Sequence, residues 1–580
     1  MISPRTISAF IPCILLAVMA GARVIAEDQP APPQPQLVLK ETSLGNLPEK
    51  GDVWVSPNLR HVLYVEKGEK KRVVVDGVAG KEYDEVLPGR SAIGAEEQGE
   101  GNKTFFSPDG ERVGYMARLG EKWAVVVDGV ESAAFTRVEG LRFSPDSKHA
   151  MYLAQSGEKW YLILDGKSYE GATGAVFSPD SRHIAWIGPT EEEGRAVFLD
   201  GKAGKRYGGI SRLRFSADSK SFAYVADGHV VFNGVEHKAY NQIGQFYFSP
   251  DGRHIAYTVV IEGKRVVVVD GKEGKVCDAT SAAPPGAGGE TLDVPKKIPV
   301  PNYPLVFSPN SNHIAYRAKS GDKWLVVRDG IEGKQYDSVS APVFSPDSKT
   351  LAYAAVSGDT RCLVTNGAEK EQKGGVHVIA FSPNSKHTAY VVGVENRKCL
   401  VVSDNAESKP YDCQQAGETA LTPLPAFSAD SERLIYVASD GGWTVVVDGT
   451  EGKKYNTVGN LIFSPDMKRI AYQAGERAVV VDGVEGKQYG GINGLVFGPD
   501  FNHLAYVASA GAGNTCIVVD GQEIGQYTGA LSCPGTAATY SGYRRIDSAP
   551  VFLIFDSPTR CHAIMRRGDE AFLVEVTGGE

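Results

Sequence analysis

Apolar positions in this chain fall in short runs, each cut by a polar turn, and the pattern repeats. Residues 463–489, FSPDMKRIAYQAGERAVVVDGVEGKQY, show one period. Phe463 closes an apolar run. Ser464-Pro465-Asp466 then predicts a turn, because proline presets φ at the second turn position and Asp caps its own backbone. Ile470-Ala471-Tyr472 is a short β-rich run, and a polar tip follows it. Val479-Val480-Val481 leads into Asp482-Gly483, a dipeptide that tolerates the positive φ of a tight hairpin. A last run ends at Tyr489. Each period therefore predicts four short strands joined by turns. No stretch inside the periods holds a 3.6-residue apolar rhythm, so helices are not expected there.

The motif Phe-Ser-Pro-Asp marks the period. It starts at Phe106, Phe143 and Phe177, and returns with small changes at Phe215, Phe248, Phe307, Phe344, Phe381, Phe427, Phe463 and Phe497. A diverged first copy starts at Val55-Ser56-Pro57-Asn58. A sub-motif at intervals of mostly 33 to 38 residues is the signature of a repeat architecture. Evenly spaced short strands with an aromatic turn motif point to a β-propeller. One four-stranded blade cannot bury both its faces, so blades must stack on one another. The motif Phe and the Val-Val-Val run are the expected packing residues.

Written F-S-P-D-[GS]-x-[HR]-I-A-Y, the repeat resembles the TolB-type, WD-like β-propeller repeat over roughly residues 53–553. The resemblance implies a propeller and leaves function open. It is to the repeat and not to TolB itself, since the half Val-Val-Val-Asp-Gly-x-Glu-Gly-Lys-x-Tyr departs from the TolB pattern. Similar repeats occur in the propellers of prolyl oligopeptidase and dipeptidyl peptidase relatives. Those carry a separate α/β-hydrolase domain, for which the repeats here leave no room.

Residues 1–26 read as a secretory signal, with Arg5 ahead of an apolar run from Phe10 to Ala22 that is short for a membrane span. Residues 27–36 form a proline-rich spacer, and the segment beginning at Gln36 is a candidate strand for closing a ring. Insertions stand at Gly89 to Lys103, near Cys413 to Pro425, and at Ser532 to Arg545. The longest break, residues 280–304, is rich in proline and glycine and reads as a linker. Residues 551–577 look like a degenerate thirteenth unit. Twelve or thirteen blades exceed the usual four to eight of one ring. The expectation is two rings of six or seven blades, residues 37–279 and 305–580, joined by 280–304.

A formal net charge of -9 opposes nonspecific nucleic-acid binding, which needs basic stripes. No amphipathic helix suggests membrane insertion once the signal is removed. Seven cysteines remain beyond the signal: Cys277, Cys362, Cys399, Cys413, Cys516, Cys533 and Cys561. In an exported chain Cys399 with Cys413, and Cys533 with Cys561, are the candidate pairs.

Candidate chemistry is sparse. His61, His149, His183, His254, His313, His387 and His503 share one repeat position, which elsewhere holds Arg112, Ser221, Thr350, Arg433 and Arg469. A metal site needs convergent ligands, and interchange with Arg is foreign to a ligand set. These side chains are expected at a blade rim. The Asp-Gly pairs lack the trailing spacing of a calcium loop and read as hairpins. Trp123, Trp160, Trp324 and Trp443 recur before the third strand and read as packing. No nucleophile elbow, zinc-protease motif or P-loop is present. No catalytic, cofactor or metal residue is therefore nominated. The expected function is that of an exported, periplasmic or extracellular, non-catalytic scaffold binding a protein, peptide or glycan at a ring face or channel. The alternative is a propeller lyase or hydrolase with a polar site at the channel.

Overall fold

The computed structural model describes residues 37–49, 51–90, 103–191, 193–277, 279–280, 305–416, 420–422, 425–464, 468–475, 477–511, 513–533, 539–541, 544–546 and 551–578. The proposed signal and spacer, residues 1–36, lie outside them. Every regular element described is a strand, and the strands form thirteen blades and two small hairpins. Blade eleven is typical: Val458–Phe463, Ile470–Ala474, Ala478–Val481 and Val484–Gln488 pair in chain order, from the inner strand outward. Its outer hairpin has positive φ at both Asp482 and Gly483, as do the hairpins at Asp76-Gly77 and Asn233-Gly234. That is the backbone the dipeptide is suited to.

Alternation along the second strand sends the Ile and Tyr of Ile-Ala-Tyr to one side and the Ala to the other. Ala256, Ala315, Ala389 and Ala471 are wholly buried there. Val479 and Val480 of the third strand are buried against the neighbouring blades.

Two devices recur at the junctions between blades. In the first, the last Ser of Ser-Pro-Asp-Ser has positive φ, and its Oγ accepts the backbone N–H of the preceding blade's motif Asp or Asn. Ser147 serves Asp109, Ser348 serves Asn310 and Ser385 serves Asp347, each at 2.9 Å. Gly252 stands at this position in blade six, where a Cβ would fall 2.4 Å from Asp218 Oδ1. Ser348→Ala is expected to cost about 1 kcal/mol, since it removes the half-buried bond that the Asn310 N–H donates. Chemical denaturation measures it.

The second device lies in the half of the repeat written Asp-Gly-x-Glu-Gly-Lys-x-Tyr. The Lys and Tyr of Gly-Lys-x-Tyr reach across to the Glu of Asp-Gly-x-Glu in the following blade. Lys334 Nζ is 2.8 Å from Glu369 and the Tyr336 hydroxyl donates to the same carboxylate at 2.6 Å. Lys81 and Tyr83 hold Glu131, and Lys238 and Tyr240 hold Glu273, in the same way. Beneath each clamp that Tyr meets the Tyr of the next Ile-Ala-Tyr edge-on, as Tyr336 does Tyr353 and Tyr489 does Tyr506.

The thirteen blades form one ring, which corrects the expectation of two. Blade six packs on blade seven as any other pair does, through Ala256 and Val267 against Leu305, Ile314 and Tyr316. The Asp251 N–H donates to Ser311 Oγ across that same junction at 3.0 Å. The segment read as a linker interrupts a strand instead. Ala279–Thr280 and Leu305–Phe307, on either side of it, both pair with Ile314–Ser320, so residues 281–304 enter within the inner strand of blade seven. Proline stops a ladder locally, but here the ladder resumes on the same partner.

The ring closes through the N-terminus. Leu37–Asn46 is the outer strand of blade thirteen, antiparallel to Glu570–Gly578. Glu41 supplies the clamp carboxylate, taken by Tyr527 at 2.6 Å and Arg567 at 2.8 Å. Leu44, Ile564 and Ala571 then pack on Val55, Leu59 and Val62 of blade one. Arg60 pairs with Asp556 at 2.8 Å, and His562 meets the Asn58 carbonyl at 2.7 Å. The degenerate thirteenth unit is thus a full blade.

Cys399 and Cys413 form a disulfide with Cα atoms 5.3 Å apart. The ladder slips by one residue between the pairs Val402–Glu407 and Cys399–Tyr411, which sets Cys413 on the same face as Cys399. The other expected pair does not form: Cys533 and Cys561 are both free and buried. They belong to opposite faces of blade thirteen, Cys533 packing toward blade one and Cys561 toward blade twelve.

Candidate binding surfaces

One ring face carries the Ser-Pro-Asp turns and the Asp-Gly hairpins. The periodic histidines stand there, each with Nδ1 on the Asp of its own blade's hairpin: His61 on Asp76, His149 on Asp165 and His503 on Asp520, all at 2.6 Å. The second oxygen of each Asp accepts the backbone N–H after the histidine. The rings of His149, His313 and His387 lie over Phe177, Phe344 and Phe427 of the following blade. Arg112 and Arg469 do the same work. Each binds its hairpin Asp, lies over Phe143 or Phe497, and donates to turn carbonyls of the next blade. The histidines are therefore strung along the rim, and the interchange with Arg has a shared geometry behind it.

The tryptophans lie toward the opposite face, at the tips. Trp123, Trp324 and Trp443 bridge to Phe135, Tyr336 and Tyr455 in their own blades. Arg118, Arg137 and Arg317 lie 5.8–5.9 Å over Trp123, Trp160 and Trp324.

The clamp carboxylates are titratable and set an acid limit. Glu131, held by Lys81 and then Tyr83, lies below its ordinary value of 4.5, and Glu451, held by Lys409, is lowered likewise. In the turns, the Ser144 hydroxyl holds Asp146 down at about 2. A carboxylate depressed in the folded state contributes stability that is fully present above its unfolded value and is lost as pH falls through its folded value. The carboxylate contribution to thermal stability is therefore expected to hold from pH 7 down to about 5 and to fall progressively below 4.5. Replacing Glu131 by Gln should shrink that fall.

The inner strands border the channel. In most blades this strand carries a register shift near its middle, as between Glu139 and Arg142, Ser211 and Arg214, and Asn493 and Val496. Gly140, Gly174, Arg212, Asn460 and Gly494 there have positive φ. Phe552 of blade thirteen sits against Gly494, where a Cβ would meet it at 2.7 Å. The insertions enter at this same station. Blade two opens after Glu85–Arg90, blade seven between Ala279–Thr280 and Leu305–Phe307, and blade thirteen between Gly529–Leu531 and Ile554–Ser557. In blade ten the hairpin of Gln414–Ala416 and Ala420–Thr422 comes just ahead of the inner strand Ala426–Phe427. The hairpin of blade thirteen, Thr539–Ser541 with Arg544–Ile546, lies beside Val458–Phe463 of blade eleven.

A cleft of about 420 Å³ opens between blades nine and ten on the turn face. Phe427, Leu434 and Val401 line its apolar part, and Asp404, Glu407, Glu432, Arg433 and Asp448 its polar part. Its origin is local. The residue before Asp-Gly packs against the next blade and is mostly large and apolar: Val75, Leu199, Phe232, Val269 and Val447. In blade nine it is Ser403, which lines the cleft.

The strand order defines a β-propeller of four-stranded blades. A scan of protein-family models and a search of curated proteins give no match. Among solved structures, the chain is similar to a crystal structure of a eukaryotic initiation factor, with 12% identity, a TM-score of 0.24, and coverage of 72% of this chain and 96% of that one. It is also similar to the β-propeller domain of Myceliophteria thermophila Cps50 (Swd1), with 10% identity, a TM-score of 0.19, and coverage of 47% and 94%. At such identities the likeness is one of fold alone, and the blade assignment rests on the strand pairing.

Proposed function

We propose that this propeller is an exported scaffold that binds a protein partner on the channel side of its ring. The observation that carries the reading is the entry of three insertions within inner strands and of a fourth just ahead of one. Departures from a rigid repeat are where recognition concentrates, and the inner strands that these leave and rejoin border one channel. Export is supported by the apolar run from Phe10 to Ala22 and by the Cys399–Cys413 disulfide, a bond that persists in oxidising compartments. The net charge of -9 disfavours a nucleic-acid partner.

The test shortens the insertions 91–102 and 281–304 to the two-residue bulge of the regular blades. The variant is expected to keep its melting temperature and lose the proteins that the full chain captures from its own compartment. Unchanged capture would overturn the reading.

A further inference from the structure

We infer that the cleft between blades nine and ten is a receptor site for the guanidinium of an arginine side chain. The molecule's own repetition points to it. Arg328 in blade seven occupies the same repeat position as Ser403 in blade nine: each faces the Ala of its second strand, Ala315 and Ala389. Arg328 lays its guanidinium 5.6 Å over Phe344, the motif Phe of blade eight. Its Nε is 3.6 Å from Asp329, and its Nη1 donates to Asn366 Oδ1 at 3.2 Å.

Every partner in that nest has its counterpart around the cleft. Phe427 stands for Phe344, Asp404 for Asp329, and Asp448 for Asn366. Asn366 and Asp448 both accept the N–H that opens their second strand, from Leu351 and Leu434. Asp329 and Asp404 both hold a histidine, His313 and His387, over the motif Phe. Only the arginine is missing, and Ser403 stands where it would begin.

The site is better suited to a cation than its sister. A carboxylate, Asp448, replaces the amide Asn366, and Glu432 adds a second negative charge. Glu407 is occupied by Lys373 at 2.6 Å. Arg433 also lines the cleft, its Nη1 donating to the Lys468 carbonyl of blade eleven at 2.8 Å and its Nε ion-paired with Asp448 at 3.7 Å, so Asp448 is shared and Glu432 supplies the added negative charge. That leaves an aromatic face flanked by carboxylates, the arrangement that a planar, weakly hydrated guanidinium prefers over an ammonium.

The occupant is an arginine presented by the scaffold's protein partner. That source rests on the function proposed above; the guanidinium site itself does not. The test titrates N-acetyl-arginine methylamide into the full chain and follows the Leu434 methyl resonances by NMR. A saturable shift is expected, at least tenfold weaker for the uncharged citrulline analogue and for Asp448→Asn. Ser403→Arg, which fills the site in cis as Arg328 does, should abolish the response and raise the melting temperature. Leu434 methyls that do not move, an equal response to citrulline, or a full response in folded Ser403→Arg would each overturn the site. A saturable arginine response in a chain that captures no protein would keep the site and overturn the partner, leaving a free guanidino compound as its ligand.

Discussion

Removing residues 37–46 is expected to destabilise the whole ring by on the order of 5 kcal/mol. The strand is the outermost of blade thirteen, yet much of what it does lies at the two neighbouring junctions. Leu44 is only 6% exposed and packs with Val55 and Val62 of blade one. Truncating a buried Leu alone costs about 2–5 kcal/mol. Glu41 is the one carboxylate that meets both Tyr527 and Arg567, so its loss leaves a buried hydroxyl and a cation without their partner. The strand also covers the edge of Glu570–Gly578 along its length, and an uncovered edge invites association between chains. Urea unfolding of the shortened chain should show a lower midpoint, and light scattering should show self-association. An unchanged midpoint would mean that closure does not depend on the N-terminal strand.

The second large effect is expected at the junction of blades six and seven. Tyr316 is 3% exposed and packs with Ala256 and Val267 of blade six. Tyr316→Ala should cost about 3–5 kcal/mol, the range for losing a buried aromatic with incomplete collapse around it. A cost below about 1 kcal/mol, the usual size for a residue outside a packed core, would mean that Tyr316 does not hold this junction; the same urea experiment measures it.

The blade itself was legible in the sequence because its signals are local. Asp482-Gly483 specifies a hairpin by backbone permission, and Ile470-Ala471-Tyr472 specifies a strand by alternation. The rim position of the histidines was legible too, since a site shared by His61 and Arg112 cannot be a ligand set. What the sequence obscured is pairing between distant segments. The break at 280–304 looks like a linker because its composition cannot form a strand, while the fact that decides its role is that Ala279 and Leu305 share a partner strand. The motif Phe packs between blades as expected, buried at Phe106, Phe143, Phe344 and Phe497 and half-buried at Phe427 and Phe463.

The Lys–Tyr–Glu clamp was present in the sequence as Asp-Gly-x-Glu-Gly-Lys-x-Tyr, but its Glu and its Lys serve different junctions. Lys334 and Tyr336 meet Glu369 of the next repeat, not the Glu332 beside them in the motif. That offset is the signal a reader of the repeat could have followed. The cleft was legible only by comparing one column of the repeat, where Ser403 stands among Val75, Leu199, Phe232 and Arg328.

The central claim, one ring of thirteen blades, is tested most directly by cutting the chain within residues 281–304 and examining the product without denaturant. Both pieces are expected to stay together through size-exclusion chromatography and to melt in a single transition, because the junction of blades six and seven and the closure of blade thirteen on blade one both hold them. Two pieces that separate, each with its own cooperative melt, would contradict it.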